Sequence, residues 1–367
     1  MLLSKFSNIK IEGISVAAPS KRILVEYYND AFGEDVVEKF AEMTGVRSVC
    51  RAIPEQTASD LGYEAAKNLF EQKNIDTEEI GMLVFISQKP DYRTPSTAFV
   101  LHKRLGLSES CSCFDINLAC SGFIFSLHTV YSMLKNSDAK KALLITADTS
   151  HKTLSPMDRT MIMLFGDSGS ATLVSKTEEE TPAYFTMRTD GQRFKSIITP
   201  SGAYRNMGAP RERVEWTDGI LRSDYDTHMK GMDVFGFSIK DVPQLMKEFM
   251  ETLETTPADY DTFALHQANL YMLNQISRKV KVPMDKIPVT LDRYGNNSSN
   301  SVPLVLADHF AGKGDTMRTF MSGFGAGLSW ACADIQIDTN AILPILETDA
   351  YYAEETHVSK QTADVQS

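Results

Sequence analysis

Two kinds of apolar pattern alternate along the chain. Short continuous runs, Met82-Leu-Val-Phe-Ile86, Ala142 to Ala147 and Phe263-Ala-Leu265, have strand length and mark strands covered on both faces. Between them, apolar residues recur three and four apart. Leu61, Ala65, Ala66, Leu69 and Phe70 share one helix face, and Phe123, Ile124, Leu127 and Val130 share another. Ile9 to Ala18 alternates polar with apolar and reads as a strand ended by Pro19. The same reasoning predicts helices over Glu34 to Met43, Thr97 to Leu105, Cys120 to Leu134 and Leu270 to Val280. It predicts strands over Ser112 to Asn117, Ala171 to Val174, Tyr184 to Arg188, Asp315 to Ser322 and Trp330 to Ile337. Val234 to Ile239 reads as a strand, with Asp241 capping a helix whose first turn tolerates Pro243.

This alternation predicts an α/β fold with a mostly parallel sheet and helices on both faces. Each half repeats a strand, a reactive side chain and a helix, around Cys120 and around His266. The expected division is 1–176 with the cysteine, 177–337 with the histidine, and an acidic tail at 338–367 that packs loosely or is disordered.

Composition narrows the function classes. The net charge is −11 and the basic residues are interspersed, which argues against nucleic acid as a partner. Cys50, Cys111, Cys113, Cys120 and Cys332 are odd in number and follow no disulfide framework, so a reducing cytoplasm is expected. Cys111-Ser-Cys113 lacks a second ligand pair, and no metal site is expected. No run reaches the roughly 18 apolar residues of a membrane span, and the first residues lack a signal peptide's apolar core.

The candidate chemistry centres on Asp115-Ile-Asn-Leu-Ala-Cys120-Ser-Gly-Phe123. A cysteine where a strand meets a helix faces amide N–H groups and the positive end of the helix dipole, which favour its thiolate. A small buried core cysteine is the competing reading. His266 ends an apolar strand, where side chains face the crevice at the carboxyl end of a sheet. Tyr294-Gly-Asn-Asn-Ser-Ser-Asn-Ser-Val-Pro303 is a loop dense in amides and hydroxyls, suited either to capping a helix or to donating to an oxygen. Gly323-Phe-Gly-Ala-Gly327 supplies a tight turn that brings backbone N–H groups close to a ligand.

Taken with Thr44-Gly-Val-Arg47, Phe165-Gly-Asp167, His266-Gln-Ala-Asn269, Gly295-Asn-Asn-Ser298, Val302-Pro303 and Trp330, these stretches identify a resemblance. Over roughly residues 9 to 337 the chain resembles the 3-oxoacyl-acyl carrier protein synthase III branch of the thiolase-like condensing enzymes. The resemblance implies two pseudo-duplicated halves in a five-layer α-β-α-β-α architecture, a homodimer, no cofactor, and a Cys-His-Asn triad. Cys120 would carry the acyl group, while His266 and Asn296 would donate hydrogen bonds to a malonyl-type thioester oxygen as carbon dioxide leaves. The backbone N–H groups of Cys120 and Ala326 would form the oxyanion hole. Ala326 stands where the family usually has glycine.

Other positions carry over less completely. Arg159 matches an arginine that stacks on the adenine of CoA, but Lys39, Phe40 and Met43 occupy the region of its usual companions. Asn269 and Gly325 fall on substrate-binding positions, and Thr94 aligns with a loop position that often holds a phenylalanine, suggesting room for a longer acyl group. Tyr271 replaces a usual arginine for carrier docking, so Arg278, Lys279 and Lys281 become the expected basic patch for an acidic carrier protein. The implied reaction is a decarboxylative Claisen condensation, with acyl-CoA or acyl-carrier protein and a malonyl-type carrier thioester as partners. Two alternatives are acyl transfer from Cys120 to an alcohol or amine, and a catalytically silent subunit of a synthase complex.

Overall fold

The computed structural model describes residues 2–354. Its strands are β1 (Ser4–Phe6), β2 (Ile9–Ala18), β3 (Ile80–Ile86), β4 (Ser112–Ile116), β5 (Lys141–Asp148) and β6 (Ser168–Lys176). The chain continues through β7 (Ala183–Thr189), β8 (Thr262–Leu265), β9 (Thr316–Gly325), β10 (Ser329–Asp338) and β11 (Leu346–Glu347). Six of these form one sheet in the order β11-β2-β6-β5-β3-β4, and five form a second in the order β1-β7-β10-β9-β8. Both sheets are mixed. β3 runs parallel to β4 and β5, and β8 parallel to β9, but β6 is antiparallel to both its neighbours and β10 to both of its own. The expectation of a mostly parallel sheet is therefore corrected. An apolar run reports cover on two faces and carries no information on the direction of the neighbouring strand.

The principal helices are α1 (Glu34–Thr44), α2 (Ala58–Lys73), α3 (Thr97–Leu105), α4 (Gly122–Lys135), α5 (Gly231–Thr252), α6 (Leu270–Val280) and α7 (Ser301–Phe310). Strand periodicity sorts their packing. In β3, Met82, Val84 and Ile86 point inward to α4 and α7, while Leu83 and Phe85 point outward to α2 and α3. In β9 and β10, Met321, Ala331 and Ala333 meet the same central helices, and Phe320, Trp330 and Cys332 meet α5 and α6. Five layers follow: α2 and α3, the first sheet, α4 and α7, the second sheet, then α5 and α6. Among the described residues no helix is long and apolar enough to cross a membrane.

Two further expectations are corrected. Val234 to Ile239 is helical, because α5 runs unbroken from Gly231 to Thr252 with Pro243 inside it. Its buried Val234, Phe237, Val242, Leu245, Met246 and Phe249 lie on one helical face, a period that Pro243 obscured. The segment from Asp338 is docked as far as Glu354. Leu343 N donates to Ile14 O at 2.8 Å, β11 pairs with β2, and Gln56 Nε2 donates to Thr348 O and Ala350 O. Arg104, paired with Asp60 at 2.8 Å, also holds Glu354 and the Tyr352 carbonyl. Polar composition hid a segment fastened by its backbone and by one buried arginine. The two chain ends thus cross over, β1 joining the second sheet and β11 the first.

Candidate active site

Cys120 lies between β4 and α4, two residues before the helix begins at Gly122. The strand delivering it is anchored by Asp115, whose carboxylate accepts from Thr97 N at 2.7 Å and Ala98 N at 2.8 Å, the first amides of α3. From the other sheet the β9–β10 hairpin closes on the cysteine. A β-carbon at Gly325 would stand 2.7 Å from Cys120 Cβ and 3.0 Å from its Sγ, and one at Gly323 would stand 2.9 Å from the Cys120 carbonyl oxygen. Only glycine permits that approach. β9 extends to Gly325, three residues past the predicted end at Ser322, so the turn proper is Ala326-Gly327-Leu328.

The loop after Tyr294 is fixed just as tightly. Asn296 N donates to Leu164 O at 2.8 Å, and Gly166 N donates to Asn296 O at 3.0 Å. Gly166 has no room for a side chain, since a β-carbon would fall 2.2 Å from Tyr294 O. The Phe165-Gly-Asp167 motif is thereby a clamp on the asparagine loop. Ser298 sits at φ +50°, a left-handed conformation costing a residue with a β-carbon about 1–2 kcal/mol.

That strained residue links the three predicted catalytic side chains, Cys120 and Asn296 directly and His266 through Ser301. Ser298 N donates to Asn296 Oδ1 at 2.9 Å, which leaves the Asn296 Nδ2 hydrogens for another acceptor. Ser298 Oγ is 4.0 Å from Cys120 Sγ. Ser298 O is 2.9 Å from Ser301 Oγ, which lies 3.1 Å from His266 Nδ1. Ser301 Oγ donates its hydrogen to Ser298 O and accepts from Nδ1–H, or turns that hydrogen onto Nδ1, which places the ring proton on Nε2. His266 is fixed by its backbone, N to Ser322 O at 2.8 Å, and by an edge contact with Phe324. Other histidines are engaged elsewhere, His102 with Ser108 O, His128 with Ser4 Oγ, His309 with Val289 O and His151 with the Asp167 carboxylate.

Burial governs the electrostatics. It pulls His266 down to about 3, so the imidazole is neutral at every ordinary pH. It also pushes the Cys120 thiol up to about 12, with the Ser298 hydroxyl as the chief opposing influence. This corrects the expectation of a thiolate: a helix terminus is worth about 0.3–1 kcal/mol, and desolvation of the sulfur outweighs it. The resting site holds a thiol, a neutral imidazole and an amide.

A cavity of about 50 Å³ opens on the sulfur, lined by Ala119, Phe165, Ser298, Ala326, Leu154 and Met161 among others. It offers room for about four water-sized positions. Among the described residues neither Cys120 N nor Ala326 N has a protein hydrogen-bond partner, so both N–H groups are free for an oxyanion. His266 and Asn296 lie behind Ser298 rather than in the lining of this cavity, and other predicted positions stand further apart. Arg159 is exposed, and Asn269 caps α6 by accepting from Met272 N at 2.7 Å. Thr94 borders a separate depression with Tyr92, Phe99 and Glu354. Arg278, Lys279 and Lys281 are exposed at the far end of α6, about 16 Å along the helix from its start beside His266. Sequence reasoning missed Ser298 and Asp148, a buried acid lining the cavity. Its signal was an aspartate closing the apolar run Ala142 to Ala147, at the carboxyl end of a strand.

Two helix-backed sheets joined through a central helical layer, with a cysteine at the head of one central helix, define a thiolase-like fold. Sequence comparisons refine that class. The family described as 3-oxoacyl-[acyl-carrier-protein (ACP)] synthase III matches residues 114–191, and its C-terminal part matches 250–337. A relative from Clostridium perfringens named beta-ketoacyl-[acyl-carrier-protein] synthase III is 31% identical over 335 residues, covering 90% of this chain and 99% of its own. One of the same name from Xanthomonas oryzae is 34% identical over 294 residues, covering 79% and 86%. The crystal structure of a 3-oxoacyl-(acyl-carrier protein) synthase from Burkholderia xenovorans superposes with a TM-score of 0.89 at 31% identity, covering 95% of this chain and 99% of that one. This chain belongs to the 3-oxoacyl-acyl carrier protein synthase III family.

Proposed function

We propose that the protein condenses an acyl group carried on Cys120 with a malonyl-type carrier thioester, releasing carbon dioxide and a 3-oxoacyl thioester. Acyl transfer to Cys120 forms a new thioester and frees the donor thiol. Loss of carbon dioxide from the malonyl group leaves an electron pair delocalised onto its thioester oxygen. Hydrogen bonds from neutral His266 and from Asn296 Nδ2 stabilise that enolate, and fixed donors of this kind are worth about 2.7–4 kcal/mol each. The carbanion then attacks the acyl carbon, the oxyanion faces the N–H groups of Cys120 and Ala326, and the Cys120 sulfur departs as a thiolate that takes up a proton from water.

The observation that carries this reading is the paired state of the donors. Burial holds His266 neutral, and the Ser298 N–H engages Asn296 Oδ1 so that Nδ2 is left to donate. Acyl transfer to an alcohol or amine calls for a base near the acceptor, and a histidine lowered to about 3 is a poor one. Working as a cytoplasmic homodimer, and presenting Arg278, Lys279 and Lys281 to an acidic carrier protein, completes the proposal. The test is incubation with acetyl-, butyryl- and octanoyl-CoA plus malonyl-carrier protein, with products read by mass. A 3-oxoacyl-carrier product from any of these donors supports it; ester or amide products without carbon dioxide release overturn it.

A further inference from the structure

Asp148 ends β5 inside the cavity that holds the thiol, and the condensation chemistry leaves it without a task. The residue is 3% exposed. Its Oδ1 accepts from Ser87 Oγ at 3.0 Å and from Gln88 N at 3.1 Å, while the equally buried Oδ2 has no hydrogen-bond partner. Lys89 continues the same loop into the cavity lining. It bonds through its backbone, N donating to Ser87 Oγ at 2.8 Å, which leaves its ammonium unpaired among the described residues. Leu154, Met161, Phe165 and Ile197 line the same space. An apolar pocket with a few fixed polar points orients its ligand through those points, and here an acidic oxygen and a cation both stand open.

We infer that the acyl group loaded onto Cys120 bears a hydroxyl, which donates to Asp148 Oδ2 and accepts from the Lys89 ammonium. The chemistry of the pair selects this class. A plain alkyl chain would displace water from both polar groups and leave them unanswered, which costs affinity. A terminal carboxylate would gain from Lys89 but face the Asp148 oxygen, and an ammonium would meet the reverse conflict. A hydroxyl donates and accepts at once and brings no charge.

The surroundings agree with this assignment. Burial raises the proton affinity of Asp148, and Lys89 is the chief opposing influence, so the two groups feel each other's charge. Yet they form no direct ion pair, which leaves both able to hold a third group. Thr153 and Thr227, further hydroxyls in the lining, are occupied with each other at 3.2 Å. The malonyl carboxylate is the poorer occupant, since a cation held on it would stabilise the ground state and slow its loss as carbon dioxide.

The inference rests on Cys120 as the acylated nucleophile, and competitive loading read by intact mass separates the two. Butyryl-CoA is offered to the full chain together with an equal concentration of 3-hydroxybutyryl-CoA or 4-hydroxybutyryl-CoA, whose adducts are heavier by one oxygen atom. At least one hydroxyacyl donor should load about 10- to 100-fold faster than butyryl. Asp148→Asn and Lys89→Met should each lower that ratio about threefold or more, because each replaces a charged hydrogen-bond partner by a neutral group. A merely structural role would slow both donors alike, so an unchanged ratio in either variant overturns the inference. Should Asp148→Asn fail to fold, Lys89→Met, at a half-buried loop position, decides alone. Equal or faster loading of butyryl by the wild type overturns the hydroxyl assignment and leaves the nucleophile standing. Preference for succinyl-CoA over every hydroxyacyl donor overturns it in favour of a carboxylate. No loading from any donor overturns it together with the nucleophile assignment.

Discussion

Replacing Gly325 by alanine tests how the two sheets make one site. The new methyl carbon would stand 2.7 Å from Cys120 Cβ and 3.0 Å from Sγ, against an optimum of about 3.5–4.0 Å for carbon contacts. Neither side yields easily. Gly325 is locked into the β9–β10 ladder opposite Ser329, and Cys120 precedes a helix whose buried face packs in the central layer. Overpacking of this kind costs about 1–3 kcal/mol. At about 2.1 cal/mol/K of unfolding entropy per residue, that amounts to a Tm drop of roughly 1–4 °C for a chain of 367 residues. Function should suffer more than stability, since displacing a reacting atom by about 1 Å costs about 10²-fold. Acyl loading of Gly325→Ala should therefore fall about 10- to 100-fold while the protein remains folded at 25 °C. Gly236→Ala is the control: it sits in α5 with nothing within 4 Å of the added carbon. It should load normally and melt no lower than wild type. Wild-type loading by Gly325→Ala would refute the close approach of the hairpin to the thiol.

Four further outcomes can be measured directly. His266→Ala and Asn296→Ala should each slow malonyl decarboxylation by about 10²–10³-fold while sparing acyl loading, in single-turnover assays of each step; equal loss of both steps contradicts the division of roles. Decarboxylation should show no acid limb near pH 6.5, because His266 is neutral down to about 3. The same shift ties stability to pH. The folded pKa lies below the unfolded value of about 6.5, so this contribution is complete above pH 6.5 and is lost as the pH falls toward 3. His266→Gln should blunt that loss in denaturant titrations. Arg104→Ala leaves the buried Asp60 carboxylate without its 2.8 Å partner. It should cost about 3–5 kcal/mol, a melting shift of about 4–6 °C, and an unchanged Tm would refute the anchoring of the segment up to Glu354.

The positions of Cys120 and His266 were legible because each stands just past a strand, where reactive groups are displayed, and Asn296 because its polar loop matches the family's Gly-Asn-Asn-Ser motif. Ser298 was not, because its importance comes from a positive φ and from three contacts made by different atoms of one small side chain and its backbone. Asp148 has an ordinary identity and an extraordinary burial, and burial belongs to the packed layers rather than to the local run. The thiol illustrates the same limit with the opposite sign: position before a helix argued for a thiolate, while the surrounding layers desolvate the sulfur and keep its proton on. Strand direction escaped for a simpler reason, since alternation fixes which face a side chain takes but not which way the next strand runs. The stretch from Asp338 to Glu354 was misjudged because its attachment uses backbone amides and Arg104, which composition does not reveal; the rest of the expected tail, 355–367, lies outside the described residues.

The central claim is that Cys120 carries the acyl group. Incubating wild type and Cys120→Ala with acetyl-CoA and comparing intact masses tests it most directly. One acetyl group should appear on the wild type and none on the variant; an acetyl adduct retained by Cys120→Ala would contradict the account.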